Sequence, residues 1–294
     1  MQISRPSRVR KSPCWIALLL LAFTLPATAS GAELPIWRTL PPTPTLPNPL
    51  RTGVTDTAGG RLWWAQFGNG RSAVLLHGGL ANSNYFGHLV PALVAAGFQV
   101  TVVDSRGHGR STRSSAPLSY HAMADDILVV LDSLRIQRAD LIGWSDGGNI
   151  GLDLAMHHPE RVHNLIVYGA NSDSAGTLPD AASTPTFSQY LKRVEREYRA
   201  LSPTPDAFVD LEHDVERMWE AEPRWTTADL GAIRVRTLVS DGEHEEAIRH
   251  SHTIALAKAI PEARLTFLAE ASHFGMLQTP AAFNAMVLKF LAIR

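Results

Sequence analysis

The sequence predicts an α/β fold in which a mostly parallel sheet is covered by helices on both faces. Short runs of Val, Leu and Ile alternate along the chain with segments whose apolar residues recur every three or four positions. Alternation of this kind is typical of parallel sheets with helical crossovers. The 294 residues are 45% hydrophobic and 19% charged, which suits a single globular domain.

Six strands and four helices are predicted from these patterns. The helical pattern is clearest where apolar residues fall at positions 123, 127, 130, 131 and 134. Functional side chains of a parallel sheet collect at the carboxyl ends of its strands. The predicted strands are "SAVLLHGG", "FQVTVVDSRGHG", "ADLIGW", "VHNLIVYGA", "VRTLVSDG" and "ARLTFLAE", and the predicted helices are "YFGHLVPALVAAG", "YHAMADDILVVLDSLRI", Gly147 to His157 and Pro280 to Leu291.

Residues 1–32 have the pattern of a secretory signal peptide. Four basic residues precede an apolar run from Trp15 to Leu25, and Ala27-Thr28-Ala29 follows with small residues at a cleavage spacing. The apolar run is too short to span a bilayer as an anchor. We therefore expect cleavage after Ala29 or Ala32, and a periplasmic or secreted protein without stable membrane insertion.

The rest of the chain divides into a proline-rich segment, residues 33–52, and a domain, residues 53–294. The prolines of "LPIWRTLPPTPTLPNPL" favour an extended conformation, and we expect a spacer between the export signal and the domain. Within the domain, residues 172–233 hold two or three amphipathic helical patterns and no strand pattern. About sixty residues exceed what a crossover needs, so this insertion is predicted to be a small helical lid.

The composition disfavours several classes of function. A net charge of −1 and a pI near 6.9 give no basic stripe for nucleic acid. The pairs His157-His158 and His250-Ser251-His252 lack zinc-ligand spacings such as H-E-x-x-H, so no metal is predicted. The only cysteine, Cys14, lies in the leader, which leaves the mature chain without a thiol nucleophile or a disulfide.

Ser145 stands between glycines where a predicted strand turns into a helix, in "GWSDGG". The strained turn of a nucleophile elbow leaves no room for side chains two residues before or after the serine, and Gly143 and Gly147 occupy those positions. The helix N-terminus also favours negative charge that develops nearby. Ser145 is therefore predicted to be a nucleophile, which needs a base and an orienting acid.

The predicted base is His273, which follows the last strand in "ASHFGM". A loop at the carboxyl edge of the sheet can bring its ring over Ser145. His77 and His108 are alternatives, but both lie in glycine-rich loops earlier in the chain, where histidine more often fixes the loop.

The orienting acid is expected after the fifth strand, in "TLVSDGEHEEAI". Asp241 stands at the strand tip and Glu245 follows the Gly242 turn. Spacing alone leaves both residues as candidates.

An oxyanion hole is predicted from two backbone N–H groups. One belongs to Asp146, the residue after the nucleophile. The other comes from the loop "HGGLANS", where Gly78 and Gly79 let the backbone approach a substrate closely.

From Gly53 onward the chain resembles the α/β-hydrolase fold family, of the kind with a helical lid. The markers are "LLHGG", "VVDSRGHGRS", "GWSDGG", "DGEHEEAI" and "ASHFGM", and "GWSDGG…HPERVHNLIVYGAN" is most similar to the biphenyl-hydrolase-like and valacyclovir-hydrolase branch. The resemblance implies an eight-stranded, mostly parallel sheet, a Ser-acid-His triad and ester hydrolysis without a cofactor. The triad acid falls on Glu245, where the family usually has Asp, so Asp241 stays an alternative. Carried over residue by residue, the implied site is Ser145, Glu245 and His273, with oxyanion donors on Gly79 and Asp146.

A serine at position 145 disfavours the relatives of this fold that use Asp or Cys, such as dehalogenases, epoxide hydrolases and dienelactone hydrolases. We expect a serine hydrolase that cleaves small-molecule esters or lactones through an acyl-enzyme. Carbon–carbon bond hydrolase, aminopeptidase-like amidase and cofactor-free haloperoxidase are the alternatives on the same triad. A non-catalytic binding protein of this fold is disfavoured, because both Ser145 and His273 are present. The resemblance also implies that the Asp146 side chain meets a substrate ammonium group; alternatively it only favours the helix dipole.

Overall fold

A single eight-stranded sheet forms the centre of the structure, a computed structural model that describes residues 1–2 and 34–292. The strand order is β1-β2-β4-β3-β5-β6-β7-β8. The β1–β2 and β2–β4 pairs are antiparallel, and every other pair is parallel. The strands are β1 (Arg51–Thr57), β2 (Gly60–Phe67), β3 (Arg71–Leu76), β4 (Phe98–Val103), β5 (Ala139–Trp144), β6 (Val162–Tyr168), β7 (Arg236–Gly242) and β8 (Arg264–Leu268).

Nine α-helices accompany the sheet in the described residues. All four predicted helices are present, although the first begins at Leu89 because residues 83–86 form a short 3₁₀ turn. Two helices that the sequence analysis did not predict, α7 and α8, follow β7 and β8. The helices are α1 (Leu89–Ala95), α2 (Tyr120–Ser133), α3 (Asp146–His157), α4 (Pro185–Leu201), α5 (Phe208–Ala221), α6 (Thr227–Gly231), α7 (His250–Ala259), α8 (Gly275–Gln278) and α9 (Pro280–Ala292).

The inner strands carry the core. All six residues of β5 are buried, as are six of the seven in β6, because helices cover both faces of the parallel part of the sheet. The six predicted strands are β3 to β8, which form the parallel part of the sheet. The hairpin β1–β2 was not predicted: β1 is an edge strand that is mostly exposed, so its residues form no apolar run.

The insertion between β6 and β7 is helical, as expected from residues 172–233. Helix α4 begins with Thr184 as its N-cap and Pro185 in its first turn, and it buries Tyr190, Val194 and Tyr198 at a four-residue spacing. In the described chain the only β-pairing of the insertion is two isolated bridges, Asp173 with Arg224 and Thr177 with Ile248. The role of these helices as a lid stays a prediction.

The proline-rich segment is not a free spacer, and that expectation was wrong. Residues 35–49, here called the strap, bind the surface of the domain. The Trp37 ring stacks on His244 with centroids 3.8 Å apart, and Gln278 Nε2 donates to Thr39 O at 2.9 Å. Further along, Thr43 Oγ1 donates to Glu197 of α4 at 2.6 Å. The strap is held because its extended backbone presents carbonyl groups that the side chains of the domain can reach.

The predicted signal peptide lies outside the described residues, apart from residues 1–2. Within the part that the structure describes, no helix has both the length and the apolar character needed to cross a membrane.

Candidate active site

Ser145 lies at a strained turn between β5 and α3. Its backbone has φ 52° and ψ −121°, a conformation that is uncommon for a residue with a side chain. A Cβ on Gly143 would lie 2.2 Å from the carbonyl oxygen of Gly147, and a Cβ on Gly147 would lie 1.9 Å from that of Leu76. Neither position can accept a side chain, which is the steric requirement of a nucleophile elbow.

His273, which lines the same cavity as Ser145, forms a hydrogen-bonded pair with Glu245. His273 Nδ1 lies 2.9 Å from Glu245 Oε1, and the side chains are 2% and 0% exposed. Burial lowers the pKa of His273 and raises the pKa of Glu245 to about 7, because in both cases desolvation disfavours the charged form. The neutral imidazole that a general base requires is therefore favoured.

Glu245 is held by the turn that follows it. Its Oε1 also accepts hydrogen bonds from the backbone N–H groups of Ala247 at 2.6 Å and Ile248 at 3.1 Å. The longer side chain of Glu thus reaches the histidine from the position where the related family usually has Asp. Three N–H groups converge on one carboxylate oxygen, which fixes its direction.

Asp241, the alternative acid, is buried and engaged elsewhere. Its Oδ1 accepts from the N–H of Gly242 at 2.9 Å, and its Oδ2 accepts from Thr253 Oγ1 at 2.7 Å. Burial and the neighbouring charge of Glu245 raise the pKa of Asp241 well above its ordinary value. Glu245 Oε2 is buried and has no hydrogen-bond partner among the described residues. The raised pKa of Asp241 favours its neutral, protonated form.

The loop that carries His273 is held from several sides. Trp144 Nε1 donates to His273 O at 2.9 Å, and the Tyr168 hydroxyl donates to Ser272 O at 2.6 Å. Glu246 accepts a hydrogen bond from Ser272 Oγ at 3.1 Å. Glu246 therefore connects the acid loop to the histidine loop, an interaction that no pattern in the linear sequence indicates.

The two predicted oxyanion donors lie on neighbouring loops. A Cβ on Gly79 would lie 2.4 Å from Asp146 Oδ2 and 2.5 Å from the Trp219 ring, so the "HGG" loop packs directly against the elbow. The Tyr190 hydroxyl donates to the Gly79 carbonyl, which holds the peptide group between Gly79 and Leu80. Asp146 is the first residue of α3, where a helix leaves N–H groups without an intrahelical acceptor.

The Asp146 side chain joins the elbow to the helical insertion. Its Oδ1 accepts from the Tyr120 hydroxyl at 2.9 Å, and Trp219 Nε1 of α5 lies 2.9 Å from both carboxylate oxygens. Burial raises the pKa of Asp146 to about 6, although these donors oppose the shift. The interactions with Tyr120 and Trp219 could not be predicted, because both partners come from other elements.

His77 and His108, the alternative bases, bind loop backbone. His77 Nε2 accepts from the N–H of Ser105 at 3.0 Å, and His108 Nδ1 lies 2.9 Å from Arg106 O. Both rings are buried, and burial lowers the pKa of each, that of His108 to about 3. Both histidines support loops, which leaves His273 as the imidazole beside Ser145.

Ser145, Asp146 and His273 line one cavity of about 220 Å³. The helical insertion supplies aromatic walls through Phe187 and Trp219. This volume is below the roughly 300–1,000 Å³ of sites for drug-sized ligands, which favours a small substrate. The other residues that line it are Tyr120, Asn171, Thr177, Leu178, Pro179, Ala181, Ala182, Glu222, Ala247 and Ile248.

Comparisons with known proteins agree with the fold. The family described as alpha/beta hydrolase fold matches residues 74–209. "Putative carbamate hydrolase RutD" of Caulobacter sp. (strain K31) is 29% identical over 255 residues, which cover 76% of this chain and 91% of that protein. A 2-hydroxy-6-oxo-6-phenylhexa-2,4-dienoate hydrolase of Burkholderia cepacia is 25% identical over 260 residues, covering 76% and 89%.

A solved structure has a similar fold. Est816, described as an N-acyl homoserine lactone degrading enzyme, is 25% identical with a TM-score of 0.66, and the match covers 81% of this chain and all of that one. These relatives are consistent with the branch that the sequence resembles. With the predicted sheet, the elbow at Ser145 and the matched family in agreement, the chain has the α/β-hydrolase fold and is a hydrolase.

Proposed function

We propose that the protein is a serine hydrolase that cleaves carboxylic esters or lactones of small molecules. The observation that supports this most directly is the hydrogen bond of 2.9 Å between His273 Nδ1 and Glu245 Oε1. His273 lines the same cavity as Ser145, whose backbone is strained. Such a histidine can act as a base towards a serine hydroxyl while the acid stabilises the imidazolium that forms.

In the proposed reaction, Ser145 Oγ attacks the carbonyl carbon of the substrate while His273 Nε2 takes its proton. The negative oxygen of the tetrahedral intermediate accepts hydrogen bonds from the N–H groups of Gly79 and Asp146. His273 then protonates the departing alkoxide, which leaves an acyl group on Ser145. A water molecule, deprotonated by His273, releases the acid and restores the serine hydroxyl.

The cavity supports a substrate with a short acyl or alcohol group. Phe187 and Trp219 narrow the space above Ser145. Turnover of p-nitrophenyl esters should therefore be highest for short acyl chains and fall as the chain lengthens. Equal turnover of acetate and long-chain esters would contradict this expectation.

Carbamate hydrolysis is the second candidate, because a relative 29% identical over most of this chain has that description. The same triad can attack a carbamate carbonyl. The relative named for a 2-hydroxy-6-oxo-dienoate substrate supports carbon–carbon bond cleavage in the same way. The experiment is one substrate panel of p-nitrophenyl esters, amino-acid esters, lactones, alkyl carbamates and a meta-cleavage product, tested on the wild type and on Ser145→Ala. Ester or lactone turnover that Ser145→Ala abolishes supports the proposal, whereas turnover of the carbamate or the dienoate alone replaces it.

We also propose that residues 1–32 direct the protein to the periplasm or outside the cell. The basic residues, the apolar run and the small residues before Ala29 support this proposal.

A further inference from the structure

Three side chains capable of binding a metal meet on a surface away from Ser145. His121 belongs to the first turn of α2, and Asp153 and His157 are one turn apart near the end of α3. His121 Nδ1 lies 3.0 Å from Asp153 Oδ1, and His157 Nδ1 lies 3.2 Å from the same oxygen. The ligand atoms of all three side chains lie within 4.8 Å of one another.

These separations are close to those of a tetrahedral metal site. Zinc binds imidazole nitrogen and carboxylate oxygen at about 2.0–2.2 Å, so two ligand atoms of a tetrahedron are about 3.3–3.5 Å apart. The two measured N–O separations are shorter by a few tenths of an ångström. Small rotations of the two rings would lengthen these separations, and they are sterically allowed because the His121 and His157 side chains are 58% and 48% exposed.

The surroundings favour a cation. Asp153 is only 3% exposed, so its carboxylate is a buried group between two half-exposed imidazoles. The cluster opens into a groove of about 580 Å³ that is also lined by Glu222 and Asp229, with Arg224 as a cation on the same wall. The hydrogen bond with Asp153 is the main cause that raises the pKa of His121, and the charges of Asp153, Asp125 and Glu222 act in the same direction.

Without a metal, the same atoms form an ordinary hydrogen-bond cluster. His157 Nδ1 also lies 3.0 Å from the backbone carbonyl of Asp153, one turn earlier in its own helix. In that state both rings present an Nδ1 hydrogen to acceptors of Asp153. Metal binding would move those hydrogens to Nε2 and aim both Nδ1 lone pairs at the ion.

We propose that His121, Asp153 and His157 bind one divalent transition-metal ion, with Zn²⁺ as the best match, and that the ion joins α2 to α3. Two imidazoles and one carboxylate are donors that suit zinc better than calcium or magnesium. The groove leaves room for water or a further carboxylate at the remaining position. The proposal is independent of the triad, since none of the three residues lines the cavity of Ser145.

The test is isothermal titration of untagged, EDTA-treated and dialysed protein with ZnCl₂. The wild type should bind one ion per chain, and His121→Ala and His157→Ala should each weaken binding by at least about tenfold. His158→Ala is the matched control, because His158 is adjacent in sequence but pairs with Glu160 instead, and it should bind like the wild type. MgCl₂ and CaCl₂ should give no comparable heat.

A thermal melt separates loss of the site from loss of the fold. Without zinc, His121→Ala should melt close to the wild type, because its side chain is mostly exposed. Zinc should raise the Tm of the wild type and of His158→Ala, but not that of His121→Ala. If the wild type binds no zinc, or if the His121→Ala/His157→Ala double variant binds it as tightly, the proposal is wrong. If His121→Ala fails to fold, His121→Gln provides the same comparison.

Discussion

Removing the charge of Glu245 should lower kcat strongly, whereas the corresponding change at Asp241 should lower it only slightly. In Glu245→Gln the side chain keeps an oxygen for the N–H groups of Ala247 and Ile248 but loses the charge that faces His273 Nδ1 at 2.9 Å. The imidazolium that forms when Ser145 is deprotonated then has no counter-charge. We expect kcat to fall by roughly 10³ to 10⁴, the effect known for a neutralised triad acid, or about 4 to 5.5 kcal/mol in the barrier.

Asp241→Asn tests the alternative assignment. Because burial raises the pKa of Asp241 and so favours its neutral form, the neutral amide of Asn is a close substitute for it. Its hydrogen bonds with Thr253 and Gly242 must readjust, which is mainly a stability effect. We expect kcat to fall by about tenfold or less.

The assay compares kcat for the best ester from the substrate panel at one pH, on variants whose folding is checked by circular dichroism. Glu243→Gln is the matched control, since Glu243 is exposed and lies in the same turn. It should retain wild-type turnover. If Asp241→Asn is the crippled variant and Glu245→Gln is near normal, the acid has been assigned to the wrong residue.

Four further predictions concern the nucleophile, pH and export. Ser145→Ala should lower ester turnover by about 10⁴ or more with little change in Tm, and a fluorophosphonate probe should label the wild type only; labelling of the variant at another serine would contradict the assignment. The kcat/KM of the wild type should fall as the pH drops below about 7, because protonation of Glu245 removes the charge that stabilises the imidazolium of His273, and a flat profile between pH 5 and 8 would argue against this. The pKa of Asp146 in the folded protein, about 6, exceeds its ordinary value of 3.8. The protonated side chain therefore contributes to the free energy of unfolding fully below about pH 4, and this contribution is lost as the pH rises through about 6. Denaturant melts should therefore show that Asp146→Asn gains about 1 to 2 kcal/mol relative to the wild type between pH 5 and pH 8, whereas a constant difference would show that the residue is ionised throughout. Expressed with its leader in a Gram-negative host, the protein should be periplasmic with Ser30 or Glu33 at its N-terminus, and mass spectrometry of a mature protein that keeps residues 1–25 would exclude this cleavage.

The parallel half of the fold could be predicted because its signals are local. Strands β3 to β8 are apolar runs, and the strongly periodic helices between them need no tertiary information. The β1–β2 hairpin escaped prediction since its outer strand faces solvent and has the composition of a loop. Helix α7 was missed because only Thr253, Leu256 and Ala257 of its ten residues are buried, which is too narrow a stripe to read as a helix.

The candidate site also contains features that could be predicted from local sequence and features that could not. Ser145 and its glycines are a local steric pattern. The position of His273 after the last strand indicated the base, and the resemblance to a family placed Glu245; the structure brings these two residues together. Their catalytic roles stay predictions. The raised pKa of Asp241 and the bonds of Asp146 to Tyr120 and Trp219 depend on burial and on distant elements, and no pattern in the linear sequence contains either.

The strap makes contacts that can form only late during folding. It is the first segment of the described domain to be synthesised, yet its partners come late: Thr43 and Glu197 are 154 positions apart, and Thr39 and Gln278 are 239 positions apart. Contacts of such long range form only after most of the chain has been made and collapsed. A nascent chain therefore keeps the strap unattached until α4 has been made, and keeps its first residues unattached until Gln278 has been made, so the stacking of Trp37 on His244 is expected to be a late contact. Comparing the fluorescence of a Trp37→Phe variant with that of the wild type during refolding would report this contact.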